Sequence, residues 1–250
     1  MSLKQKVSKS KRKVLELVKQ PVIPAVGQEM SNYKYLTHIL IWNIFFGIVC
    51  IPTAGKLIDV FGIPLSITIY YFPFIYIFAD LMTEVYGYAI ARRILYYTIA
   101  AQILSTIAFQ FVVYYPPSVV MTNNQSFVDV LSAAPRLVFF GTMAMFVGDI
   151  VNNYVLAKMK VWTKGKHIAA RFAMSTLCGQ LVDTGIFYGL ALWGMLSGGM
   201  LFKSILMGSA IKIGLELILL PITLRVSAKL KELEKVDFYD YKTDFNPLKL

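Results

Sequence analysis

Four clusters of lysine and arginine punctuate this chain, and each pair of successive clusters is separated by two apolar stretches, each long enough to bury itself in a bilayer. Eight basic residues precede Tyr35, Arg92 and Arg93 form the second cluster, five lie between Lys158 and Arg171, and six run from Arg225 to Lys249. Together these are 21 of the 25 in the sequence. A chain that crosses a membrane repeatedly and returns its basic loops to one side has this pattern, and that side is the cytoplasm. The charged fraction of 16% and mean hydropathy of +0.60 exclude a soluble globular domain, where roughly 25% of residues are charged. The net charge of +11 therefore marks sidedness and does not imply nucleic-acid binding.

The reading is an all-α integral membrane protein with six transmembrane helices and both termini cytoplasmic. Spans are expected at residues 35–52, 63–86, 94–115, 137–156, 173–196 and 203–224. A basic cytosolic arm (1–34) precedes the transmembrane domain (35–225), and a charged tail (226–250) follows it. Pro73 is expected to kink the second span at its middle, and Arg92 with Arg93 to close a tight cytoplasmic turn. The loop 116–135 contains no lysine, which suits the outer face. Arg136 reads as an anchor at the outer interface, and Gln102 and Gln110 as interhelical hydrogen-bonding groups.

A faint repeat runs through the fourth and fifth spans. Gly148-Asp149-x-x-Asn152-Asn153 has the pattern of Gly179-Gln180-x-x-Asp183-Thr184, and Asp80-x-x-Thr83-Glu84 resembles Asp149-x-x-Asn152-Asn153. If the halves of three helices are repeats, they are inverted relative to one another, as in many secondary transporters.

Ionisable side chains inside spans are costly and mark function by default. Six fall here: Asp80, Glu84, Asp149, Asp183, Lys212 and Glu216. Spacings of three and four residues put Asp80 with Glu84, Asp149 with Asn152, Gln180 with Asp183, and Lys212 with Glu216 on single helix faces, so the four faces can converge on one polar interior. Lys212 and Glu216 either neutralise one another or serve as a gate. Glu84, near the cytoplasmic end, is either a ligand or an inner-gate partner of Arg92. Asp149 and Asp183 carry protons or bind a group that donates hydrogen bonds. Tyr76 and Phe74 offer aromatic faces beside Asp80, and a flat heterocycle could stack there with its donor edge on a carboxylate. Cys50 and Cys178 sit in apolar stretches and read as small hydrophobes. With His38 and His167 the sole histidines, no metal or other cofactor is expected.

Several motifs, in order, resemble those of the queuosine-precursor transporter family. They are Phe72-Pro73-Phe74, Asp80 with Glu84-Val85-Tyr86-Gly87, Ala91-Arg92-Arg93, Gly148-Asp149 with Asn152, Ser175-Thr176-Leu177 before Gly179-Gln180 and Asp183, and Lys212 with Glu216 and Pro221. The resemblance implies a multi-pass importer of the bacterial inner membrane for 7-cyano-7-deazaguanine, 7-aminomethyl-7-deazaguanine or queuine, which feed transfer-RNA modification. Members often carry Glu or Gln in place of Asp149, and Glu or Asn in place of Gln180, so the resemblance leaves the acid count open.

These readings give an alternating-access carrier of a small deazaguanine with Asp80, Tyr76, Phe74, Asp149, Asn152, Gln180 and Asp183 at the substrate and Glu84, Arg92, Lys212 and Glu216 as gate or charge partners. Its partners are the lipid bilayer and a homo-oligomer if one forms, not nucleic acid. The alternative is a substrate-capture subunit of an ATPase-energised importer. An intramembrane enzyme is disfavoured because no span pairs a nucleophile with a base.

Overall fold

The computed structural model describes residues 33–132 and 134–248. The basic arm expected at 1–34 thus falls outside the described residues up to residue 32. Seven α-helices and one short hairpin follow in order: α1 (Leu36–Thr53), β1 (Leu57–Val60), β2 (Ile63–Ser66), α2 (Phe72–Tyr86), α3 (Tyr88–Tyr114), α4 (Asn124–Leu131), α5 (Ala134–Trp162), α6 (Ile168–Ile186) and α7 (Gly198–Glu234). A 3-10 turn at Ile67–Tyr70 leads into α2, and a π-helical segment at Phe187–Ala191 extends α6.

Among the described residues, four stretches are long and apolar enough to cross a membrane: α1, α3, residues 124–162 containing α5, and α7. Large apolar side chains project outward from them, among them Trp42, Leu104, Ile107, Phe139 and Ile218, as lipid-facing residues do. The remaining long helices, α2 and α6, share the buried polar residues with α5 and α7. Ala79 to Tyr86 of α2 are buried without a break, so the helix is enclosed on every side.

The second span departs from expectation. Residues 57–66 form an antiparallel hairpin with Leu57 opposite Ser66, and α2 is only 15 residues long. Phe61 (φ 52) and Gly62 (φ 75) both take left-handed backbone, as a two-residue primed turn requires. The hairpin is fastened by Ser66, whose hydroxyl donates to the Ala54 carbonyl (2.7 Å) and whose amide donates to the Tyr188 hydroxyl (2.9 Å). Pro73 does not kink a helix centre. It lies in the first turn of α2, where its missing N–H has no intrahelical partner to lose. The break between α2 and α3 falls at Gly87 (φ 90), which places Arg92 and Arg93 inside α3 and not in a turn. The last helix continues past the span end expected at 224 into the tail, whose first part reads as helical from the sequence, and stops at Glu234.

Two apolar layers cap the bundle. At one end, the tail end, Leu36, Met82, Val85, Tyr86, Ile94 and Leu230 pack together. At the other, the hairpin end, Leu65, Ile69, Leu137, Tyr188, Leu192 and Leu201 do so. The polar residues of α2, α5, α6 and α7 lie between them.

The α5–α6 crossing fixes that middle layer. A Cβ on Gly148 would meet the Tyr76 hydroxyl and lie 2.7 Å from the Asp183 Cβ, and one on Gly179 would lie 2.8 Å from the Asn152 Cβ and 3.1 Å from the Gly148 carbonyl oxygen. Each glycine thus faces the residue four positions past the other, so the repeated motifs pack reciprocally across antiparallel helices. Gly179→Ala is expected to force the helices apart at a cost of about 1–3 kcal/mol, as overpacking does. Thermal unfolding in detergent checks this: Gly179→Ala melts several degrees lower, whereas Gly185→Ala in the same helix, with nothing within 4 Å of its added methyl, does not.

Candidate functional site

Tyr76 of α2 is wedged over the glycine crossing, its hydroxyl 3.5 Å from the Gly179 carbonyl oxygen and its ring against the place a Gly179 side chain would take. One turn later, Asp80 accepts a hydrogen bond from the Asn152 amide (2.6 Å), and Thr83 donates to Asn153 (2.7 Å). The Lys212 ammonium donates to Asp183 (2.9 Å) and Thr184 (3.3 Å) and lies 4.2 Å from the centroid of the Phe72 ring. Glu216 accepts from Thr176 (2.7 Å) and from the Gln180 amide. Asp149 Oδ1, Asn152 Oδ1 and Gln180 Oε1 are buried without a hydrogen-bond partner.

Asp80, Asp149, Asn152, Gln180, Asp183, Lys212 and Glu216 are therefore all buried in the middle layer. Among the described residues no three of His, Cys, Asp and Glu are arranged to hold a metal ion. A cavity with about 50 Å³ open to the centres of water molecules runs from the hairpin end toward this layer, lined by Cys50, Thr68, Phe72 and Gln102 and reaching Asp183 and Lys212. That is room for several waters. A smaller space of about 10 Å³ separates Asp80 from Glu216.

Three expected roles are corrected. Lys212 pairs with Asp183 on α6 and not with Glu216 on its own helix, because Glu216 is already engaged by Thr176 and Gln180. Phe74 turns away from the polar layer and stacks on Phe46 of α1 (5.2 Å between centroids, planes 12° apart), while Phe72 supplies the ring at the polar face. Glu84 does not pair with Arg92, which donates instead to the main-chain carbonyls of Asp244 (3.0 Å) and Asn246 (2.5 Å).

Glu84 is fully buried at the tail end, where its Oε1 meets Arg171 (2.8 Å), Lys231 (2.5 Å) and, at 3.7 Å, Lys160. Asp237 joins the network through Lys160 (2.7 Å) and Lys231 (2.8 Å). Past α7 the chain folds back across the ends of α2 and α3. The Phe238 amide donates to the Val85 carbonyl (3.2 Å), Asp240 accepts from the first amide of α3 at Tyr88 (3.2 Å), which has no partner within the helix, and the Tyr96 hydroxyl donates to the Pro247 carbonyl (2.6 Å). Lys160, Arg171, Lys231 and Asp237 were not singled out by sequence reasoning. Their signals were present: Arg171 continues the face of Ser175, and Ser209, Lys212, Glu216, Thr223, Ser227 and Lys231 form one polar stripe along α7.

The fold and its buried charges thus define a polytopic membrane protein with a polar interior closed at one end. The chain belongs to the family described as "Putative vitamin uptake transporter", whose model matches residues 66–226. No curated protein and no solved structure matches it.

Burial would push the Asp237 carboxyl up, but Lys160 and Lys231 outweigh it and hold the carboxyl below its ordinary value of 3.8. A depressed folded value stabilises above the ordinary value and ceases to do so as pH falls through the folded one. Limited proteolysis is expected to leave the wild-type tail intact near pH 6 and cut it near pH 3, and Asp237→Asn is expected to be cut at both.

Proposed function

We propose that the protein is a six-span carrier of the bacterial inner membrane, both termini cytoplasmic, that imports queuosine precursors by alternating access. The Asp183–Lys212 pair beside Phe72, reached by the cavity from the hairpin end, carries this reading. A deazaguanine presents two adjacent donors and a carbonyl on one edge. A carboxylate accepts the donors together, an ammonium meets the carbonyl, and an aromatic ring covers the flat face. Asp183, Lys212 and Phe72 supply those three chemistries side by side.

Asp80 with Asn152, and Gln180 with Glu216, form a second polar layer toward the tail end, available to a substrate moving inward. Tyr76 holds the helix crossing rather than the ligand. The Glu84 network is the inner gate, closed here while the cavity reaches the core from the opposite end. The family match and the distribution of basic residues support the transport direction and the topology.

Purified protein in liposomes without ATP is expected to take up labelled 7-aminomethyl-7-deazaguanine, with 7-cyano-7-deazaguanine and queuine competing and adenine not. Asp183→Ala is expected to lower uptake by about ten-fold or more, as loss of a charge-assisted hydrogen-bond pair does. Normal uptake by Asp183→Ala overturns the site, and uptake that requires an added ATPase overturns the carrier.

A further inference from the structure

Four carboxylates, Asp80, Asp149, Asp183 and Glu216, are buried together with one lysine in the middle layer. The tail-end cations are committed to Glu84 and Asp237. An ionised carboxylate in so dry a place must be paired or take up a proton. Asp183 has Lys212, Glu216 accepts two side-chain hydrogen bonds and Asp80 accepts one. Asp149 is 3% exposed and its Oδ1 meets no donor.

The hydrogen-bond account has the same shortfall. Most side-chain donors that face this layer are taken: Tyr76 by the Gly179 carbonyl, Thr83 by Asn153, Asn152 by Asp80, Gln180 and Thr176 by Glu216, and Lys212 by Asp183 and Thr184, while the buried Ser209 hydroxyl, three residues before Lys212, meets no partner. Three oxygens are left over, on Asp149, Asn152 and Gln180. Asn152 lies three residues past Asp149 on the same helix face, and a carboxylic acid at Asp149 adds the missing donor while removing a charge.

We infer that Asp149 is the site of a dissociable proton whose binding is coupled to that of substrate, an inference that rests on the carrier reading above. The groups facing it come from every neighbouring element that carries charge: Tyr76 and Asp80 of α2, Asp183 of α6, and Glu216 with Lys212 of α7. α3 meets α5 through Tyr96 against Phe146 and Gln102 against Met145 and Thr142. Asp183 and Glu216 are the charges that bear on Asp149 most directly. A substrate edge that draws Lys212 off Asp183 leaves that carboxylate less screened beside Asp149, which favours retention of the proton. Proton and substrate then bind cooperatively, as symport requires. The proton moves onto a carboxylate oxygen on the hairpin-end side and leaves it on the tail-end side, with no covalent change elsewhere.

Two readouts on the full-length protein test this. Infrared difference spectra of wild type and Asp149→Asn, taken without substrate through a pH titration, are expected to show a protonated-carboxyl stretch at neutral pH that the variant lacks. Identical spectra in that region overturn the proposal. In liposomes holding a pH-sensitive dye, an inward proton gradient is expected to drive accumulation of labelled 7-aminomethyl-7-deazaguanine by wild type with acidification of the lumen. Asp149→Asn is expected to lose the accumulation and acidification, and Asp149→Glu, which restores a dissociable proton at the same helix position, to regain both. Accumulation by Asp149→Asn equal to wild type, or accumulation driven by sodium and not by protons, overturns the proposal. If wild type exchanges none of the deazaguanines, the substrate reading fails, and the infrared result still decides the proton site.

Discussion

Two helices that touch through glycine set the geometry of everything polar in this molecule. Because Gly148 and Gly179 leave no room for even a methyl between them, α5 and α6 approach backbone to backbone, and Tyr76 closes the seam from α2. Small residues serve this purpose in membranes, where lipid gives no hydrophobic drive for helices to associate and close packing must supply it. The reciprocal contacts bring Asp183 and Asn152 to either side of the crossing, so its position dictates where Asp80 finds its amide and where Lys212 finds its carboxylate.

Charge is sorted by depth around that crossing. The tail end holds Glu84 among Arg171, Lys160 and Lys231, while the middle layer carries an excess of acids over its one lysine, and an apolar cluster packs at each end. On α5, α6 and α7 these groups and the bulky apolar side chains occupy different faces of the same helix, while α2 is enclosed from Ala79 to Tyr86.

Much of this was legible because bilayers impose strict costs. A buried ionisable residue stands out in an apolar run, which is why Asp80, Asp149, Asp183, Lys212 and Glu216 could be picked out and their helix faces paired. The crossing itself showed as a short repeat, Gly-x-x-x-Asn beside Gly-x-x-x-Asp. What escaped was either local backbone chemistry or partners remote in the chain. Ile63 to Ser66 reads as apolar and merges with the following span unless Phe61-Gly62 is taken as a primed turn. Phe72 and Phe74 are equally aromatic, and only the first-turn position of Pro73 tells which ring faces Lys212. Glu84 suggested the nearby Arg92, yet its partners lie 87 and 147 residues further on, a pairing that no helical periodicity encodes.

That last separation bears on how the protein is made. Lys231 and the folded-back segment from Phe238 to Pro247 are synthesised well after α2 and α3, yet they satisfy Glu84, the first amide of α3 and the guanidinium of Arg92. During translation, the facing ends of α2 and α3 therefore exist for a time without these partners. Water and headgroups must stand in until the end of α7 arrives, and only then can the bundle lock.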